Sequence, residues 1–142
     1  MVQVHRFLGF FVVGVFALGW IWGLLAKLVG RGPGELYWRW LAVAQVTALG
    51  QAILGTVLLV SGARVASGSS LSNLLHYVYG FLPLLLFAAA HLVARSGNLS
   101  TIGMKRGDGE EIPIRPWTPF AWASFIAFGL TLRALMTGLG VG

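Results

Sequence analysis

The chain carries three histidines, His5, His76 and His91, and no cysteine. Without thiols there are no disulfides, thiolate nucleophiles, iron–sulfur clusters or sulfur-built zinc sites, and imidazole is the one soft ligand left in number. Its chemistry is metal ligation through a ring nitrogen or proton transfer. Two of the three share a pattern, since Gly9 follows His5 and Gly80 follows His76 at four positions. On a helix that is the same face one turn on, so each imidazole would stand beside a place with no side chain, where a large planar group can approach the backbone. The pattern also reads as an interfacial polar residue beside a helix-packing notch, and the sequence alone holds both readings. Arg6 and Arg133 add guanidinium groups suited to carboxylates. Arg6 reads equally well as an arginine snorkelling to the headgroups.

The elements that must position these groups follow from composition. Of 142 residues 57% are apolar and 10% charged, with a mean hydropathy of +0.82, whereas a soluble domain is about a quarter charged. This is a membrane chain, too short for a separate soluble catalytic domain. A helical crossing takes about 20 residues, and four apolar runs of that length fall at about 4–28, 40–62, 71–94 and 117–139. The expected fold is all-α, a four-helix transmembrane bundle in one membrane domain. The first run is kept as a helix of the fold, not a cleaved signal. Its connections are a breaker cluster around Gly30-Arg31-Gly32-Pro33-Gly34, a small and polar stretch from Ala63 to Ser70, and a longer loop over 95–116. In that last loop, strand-like residues Ile102 to Lys105 and Ile112 to Ile114 flank Arg106-Gly107-Asp108-Gly109, which predicts a small hairpin.

Lys and Arg concentrate in the first and third connections (Lys27, Arg31, Arg39; Arg95, Lys105, Arg106, Arg115), against Arg64 in the second and Arg6 at the N-terminal edge. By the positive-inside bias, loops one and three are cytoplasmic and both termini extracytoplasmic, in the cytoplasmic (inner) membrane. All four acids, Glu35, Asp108, Glu110 and Glu111, fall in those two loops, which argues against an intramembrane carboxylate relay, a small channel or a transporter. The formal charge of +6 points to anionic lipid headgroups and the bilayer as partner, not to nucleic acid.

Helices 1 and 3 then run in the same direction, with His5 and His76 each about one turn in, so the two imidazoles share one level near the outer face. Arg133 lies sixteen residues after Trp117, roughly 24 Å up the fourth helix, at that same level. Paired histidines on facing helices with small residues beside them are how bundles build sites in their cores. The expectation is one b-type haem ligated by His5 and His76, with Gly9 and Gly80 giving room and Arg6 and Arg133 meeting its propionates. His91, about 22 Å deeper than His76, has no second ligand near it, only Trp20, Trp22, Trp40 and Gln45. A second haem there is not expected, and His91 reads as an interfacial or quinone-headgroup histidine. Pro83 breaks one backbone hydrogen bond of helix 3, and the tryptophans at 20, 22, 38, 40, 117 and 122 read as an inner aromatic belt.

Three short stretches, His5-Arg6-Phe7-Leu8-Gly9, Gln51-Ala52-Ile53-Leu54-Gly55 and Leu75-His76, resemble one half of the haem A synthase family, over roughly residues 1–95. That family's members are generally eight-helix proteins of two similar four-helix bundles, half-length forms occur, and paired histidines on parallel helices ligate haem. The resemblance implies that His5 and His76 are the axial pair. It departs where the family's catalytic half has a glutamate three residues before the first histidine, because Val2 stands there, and the cysteine pair of some members is absent. Hydroxylation chemistry is therefore left open, and the expected roles are electron transfer, with quinone or respiratory-complex subunits as partners, or haem handling in oxidase assembly. The resemblance also allows a homodimer of two four-helix units. The alternative is a cofactor-free accessory or assembly subunit whose glycine-rich faces pack on partner helices.

Overall fold

In a computed structural model, which describes residues 1–64 and 69–141, the chain forms four long helices and one short 3₁₀ turn. They are α1 (Val2–Leu28), α2 (Glu35–Val60), α3 (Ser70–Ser96) and α4 (Thr118–Leu139), with the 3₁₀ turn at Leu99–Ile102. All four helices are long and apolar enough to cross a membrane. The small connection expected over Ala63 to Ser70 lies in part outside the described residues.

Local chemistry sets the boundaries. The second helix begins at Glu35 and not at the expected Trp40, because Gly34 provides an extended N-cap and the first-turn carboxylate of Glu35 suits the helix N-terminus and pairs with Arg39 at 2.7 Å. Ser69 caps α3 by accepting from the Ser72 amide at 3.0 Å. Gly97 (φ 74°) and Gly140 (φ 73°) close α3 and α4 in the left-handed region that glycine tolerates. Between α3 and α4 the expected hairpin is reduced to a turn. Arg106 and Gly109 are joined through the Gly109 amide at 2.9 Å, and Lys105 and Glu111 form an isolated antiparallel bridge. The stretch expected to be extended from Ile102 ends the 3₁₀ turn instead, since Asn98 caps it through Ser100.

The helices alternate in direction. One end of the bundle gathers the start of α1, the end of α2, the start of α3 and the end of α4; the opposite end gathers the two loops that hold all four acids. Each helix packs on its sequence neighbours, and α4 closes the bundle against α1, which leaves α1 and α3 on one diagonal. The side-chain core fills only the acid-bearing end. It is built on Val12, Val15, Phe16, Tyr37, Leu41, Phe87, Trp117 and Phe120, with Phe16 and Phe87 stacked across the diagonal at 5.4 Å. The tryptophans contribute to this packing more than a peripheral belt would: Trp117 is buried, and Trp40 donates its indole N–H to the Val15 carbonyl at 3.0 Å.

Contact between α1 and α4 depends on glycine. A Cβ at Gly23 would stand 2.5 Å from Ala121 Cβ, and one at Gly19 would stand 3.2 Å from Ser124 Oγ. Close approach of this kind is what holds helices together where lipid removes the hydrophobic drive. Gly23→Ala is therefore expected to destabilise the bundle by about 1–3 kcal/mol through overpacking. Gly14→Ala, where the added methyl meets nothing within 4 Å, is expected to be neutral or to stabilise by up to about 1 kcal/mol from helix propensity. Thermal unfolding of both variants in detergent checks the contrast.

Candidate functional site

The half of the bundle opposite the core is hollow. Where helix faces converge there, the sequence supplies Gly9 on α1, Ala48, Ala52 and Gly55 on α2, Gly80 on α3 and Ala134 and Gly138 on α4. Small residues on every wall leave an open-mouthed cavity between the helices. An open space between helices forfeits packing contacts that larger side chains would make.

Two imidazoles face this space from diagonal helices. The His5 and His76 ring centres are 6.0 Å apart with planes at 67°. His76 Nδ1 lies 2.9 Å from the Ala134 carbonyl oxygen. Because a carbonyl only accepts, Nδ1 is the donor, and in the neutral tautomer this leaves Nε2 as the lone-pair nitrogen. This is the supporting bond that metal-ligating histidines characteristically make. His5 is held less directly: Gln51 Nε2 donates to the His5 backbone carbonyl at 3.0 Å. His5 Nδ1 and Gln51 Oε1 are buried without a hydrogen-bond partner. Neither Nε2 has a partner among the described residues, and neither is sealed off as His5 Nδ1 is.

Glycines other than the expected pair make room for these rings. A Cβ at Gly55 would come within 3.2 Å of His5 Cε1, and one at Gly138 within 3.1 Å of His76 Cε1. Gly138→Ala should therefore tilt His76 and weaken its bond to the Ala134 carbonyl, read as a shift of the His76 Nδ1 resonance in ¹⁵N spectra, with the helices unchanged by circular dichroism. Of the glycines singled out by spacing, Gly80 faces open space, with nothing within 4 Å of an added Cβ. Gly9 is buried and packs against Gln51 and Leu135, where a Cβ would meet contacts of 3.3 and 3.4 Å. It lines the cavity as a packing notch more than as a slot.

Arg6 lines the cavity, as does Arg64 from the end of α2. Arg6 has no hydrogen bond or ion pair among the described residues, and Arg64 only a 3.5 Å contact to the Ala63 carbonyl. All four acids sit at the far end of the bundle, so among the described residues the mouth is positive, suited to an anionic ligand. Arg133 is exposed and lies outside the cavity lining; Arg64 holds the place that helix spacing assigned to it. Val2 lines the wall, an apolar side chain where the resemblance places a glutamate. His91 sits at the other end, its Nε2 2.9 Å from Gln45 Oε1.

The residues present can be tested against haem. A metal holds an imidazole nitrogen at about 2.0–2.1 Å, which sets two opposed nitrogens about 4 Å apart and, adding about an ångström to each ring centre, the centres about 6 Å apart. The 6.0 Å separation fits. Among the described residues no three His, Cys, Asp or Glu side chains cluster as a metal site, and two axial ligands are all that a macrocycle with four nitrogens of its own requires. The open face at Gly80 and the two guanidinium groups at the mouth suit a flat dicarboxylate.

Gln51, Gly55, Arg64 and Gly138 are site residues that spacing from the histidines did not select. Gln51 and Gly55 repeat the polar-x-x-x-Gly pattern of His5 and His76, and that signal could have found them. Nothing in the sequence ties Gly138 to His76. Comparison with known proteins finds no matching family model, no matching curated protein and no matching solved structure.

Proposed function

We propose that this chain is a multi-pass protein of the inner membrane that binds one b-type haem between His5 and His76, near the extracytoplasmic face, for electron transfer or haem handling in respiratory oxidase assembly. The observation that carries this reading is the pair of imidazoles 6.0 Å apart beside a cavity lined by small residues, one of them donating its Nδ1–H to the Ala134 carbonyl. The orientation rests on the loop charge bias, and kinship with haem A synthases on the short motifs of α1, α2 and α3.

Bound there, haem would supply one-electron redox chemistry. The protein's own part is positioning. His76 is held in one tautomer, Gln51 ties the backbone at His5 to α2, and Arg6 and Arg64 supply donors for two carboxylates. Leu58, Leu135 and Leu139 exclude water from the walls. Val2 offers no carboxylate for proton transfer, which favours electron transfer or haem handling over hydroxylation. The test is a reduced-minus-oxidised difference spectrum of chain purified after expression with adequate haem. A b-type low-spin spectrum at about one haem per chain is expected. A colourless, folded protein that takes up no added haem would sink the proposal.

A further inference from the structure

A second polar constellation, sharing no residue with the cavity, sits at the other end of the α2–α3 seam. His91 Nε2 is 2.9 Å from Gln45 Oε1, and Gln45 Nε2 donates to the Leu41 carbonyl at 3.2 Å. The second bond fixes the amide: its nitrogen is given to a carbonyl, so its oxygen faces the imidazole and can only accept. His91 Nε2 is therefore the donor, and in the neutral tautomer Nδ1 is a hydrogen-bond acceptor with no partner among the described residues. The ring stands edge-on to Phe120 at 4.8 Å and 79°. Trp38, Leu92 and Arg95 border the same recess. His91 is exposed five residues before the end of α3, roughly 7–8 Å along the axis. A helix of 27 residues overruns an apolar layer of about 30 Å by roughly 5 Å at each end, so His91 stands at the boundary of that layer, the level of an amphipathic head group.

We infer that this recess binds the head of a membrane-soluble quinol, its phenolic O–H donating to His91 Nδ1 and its flat ring lying against the exposed indole of Trp38, with Arg95 as a donor at the rim. The choice of ligand follows from the acceptor. A phospholipid phosphodiester offers oxygens that accept and no proton to give, so it suits Arg95 but not Nδ1. An oxidised quinone likewise has only acceptors. A hydroquinone supplies both the O–H and the aromatic face, and its apolar tail belongs in lipid.

The experiment uses the full chain in nanodiscs of synthetic phosphatidylcholine free of quinone, titrated with decyl-1,4-benzoquinol and followed by the ¹⁵N resonances of His91 and by equilibrium binding. Saturable binding is expected, about tenfold tighter for the quinol than for decyl-1,4-benzoquinone, and at least tenfold weaker in His91→Phe and in Gln45→Leu. Equal uptake by wild type and His91→Phe would mean simple partition into lipid and would overturn the site. So would equal affinity for the two redox forms, or competition by decylphosphocholine as strong as by the quinol. If His91→Phe does not fold, the reduced-against-oxidised comparison on wild type still decides. The double variant His5→Ala/His76→Ala should bind quinol unchanged, so this result and the fate of the haem proposal are read separately.

Discussion

His76→Ala is expected to abolish the low-spin b-type spectrum, and His5→Ala to do the same. Loss of a hydrogen-bonded partner behind a ligand costs metal sites about 10–100-fold in affinity, and removal of the ligand itself should cost at least as much. The two variants should differ in their response to added imidazole. At position 76 the truncated side chain leaves the Ala134 carbonyl, formerly 2.9 Å from Nδ1, to receive an N–H from a free imidazole seated in the same space. At position 5 no acceptor is already aligned with the ring, because His5 Nδ1 is buried without a partner among the described residues. Rescue by imidazole should thus be stronger for His76→Ala than for His5→Ala, read from the return of the low-spin bands in titration. Unaltered spectra in both variants would remove these histidines from the site.

The shared level of these two rings in the bundle was legible in the sequence because it depends on rise alone. Four apolar runs alternate in direction, each histidine lies near the start of its run, and axial rise is nearly independent of side-chain detail. Rotation about each helix axis is another matter. Membrane helices are apolar all round, so no amphipathic stripe says which face turns inward. Gly9 and Gly80 stand in the same relation to their histidines, yet one packs against Gln51 and Leu135 while the other faces open space. Arg133 has the expected height but points out of the cavity, and Arg64, treated as a loop residue, lines it. The wall formed by Ala134 and Gly138 could not be read at all. It depends on α4 packing against both α1 and α3, a long-range fact that no local spacing encodes.

The hollow half of the bundle makes a second large effect predictable, at Gly80. Most glycines that line a packed interface cannot be enlarged without moving a helix; a methyl at Gly23 would already collide with Ala121. Gly80 is the opposite case, since an added Cβ meets nothing within 4 Å and the position lines the cavity beside His76 and Tyr77. Gly80→Leu should place a branched side chain in the space a planar ligand needs, while improving helix propensity by about 0.8–1.0 kcal/mol and adding dispersion contacts to a hollow region. The expected outcome is a protein of equal or higher thermal stability in detergent that has lost haem uptake by tenfold or more. That combination separates a cavity kept open for a ligand from a packing defect. A purely structural notch would predict that Gly80→Leu lowers stability, and a ligand seated elsewhere would predict unchanged uptake. Gly80→Ala, with a single methyl projecting into the same space, should lie between, reducing haem affinity by less than the leucine does and leaving the His5 and His76 imidazoles in place.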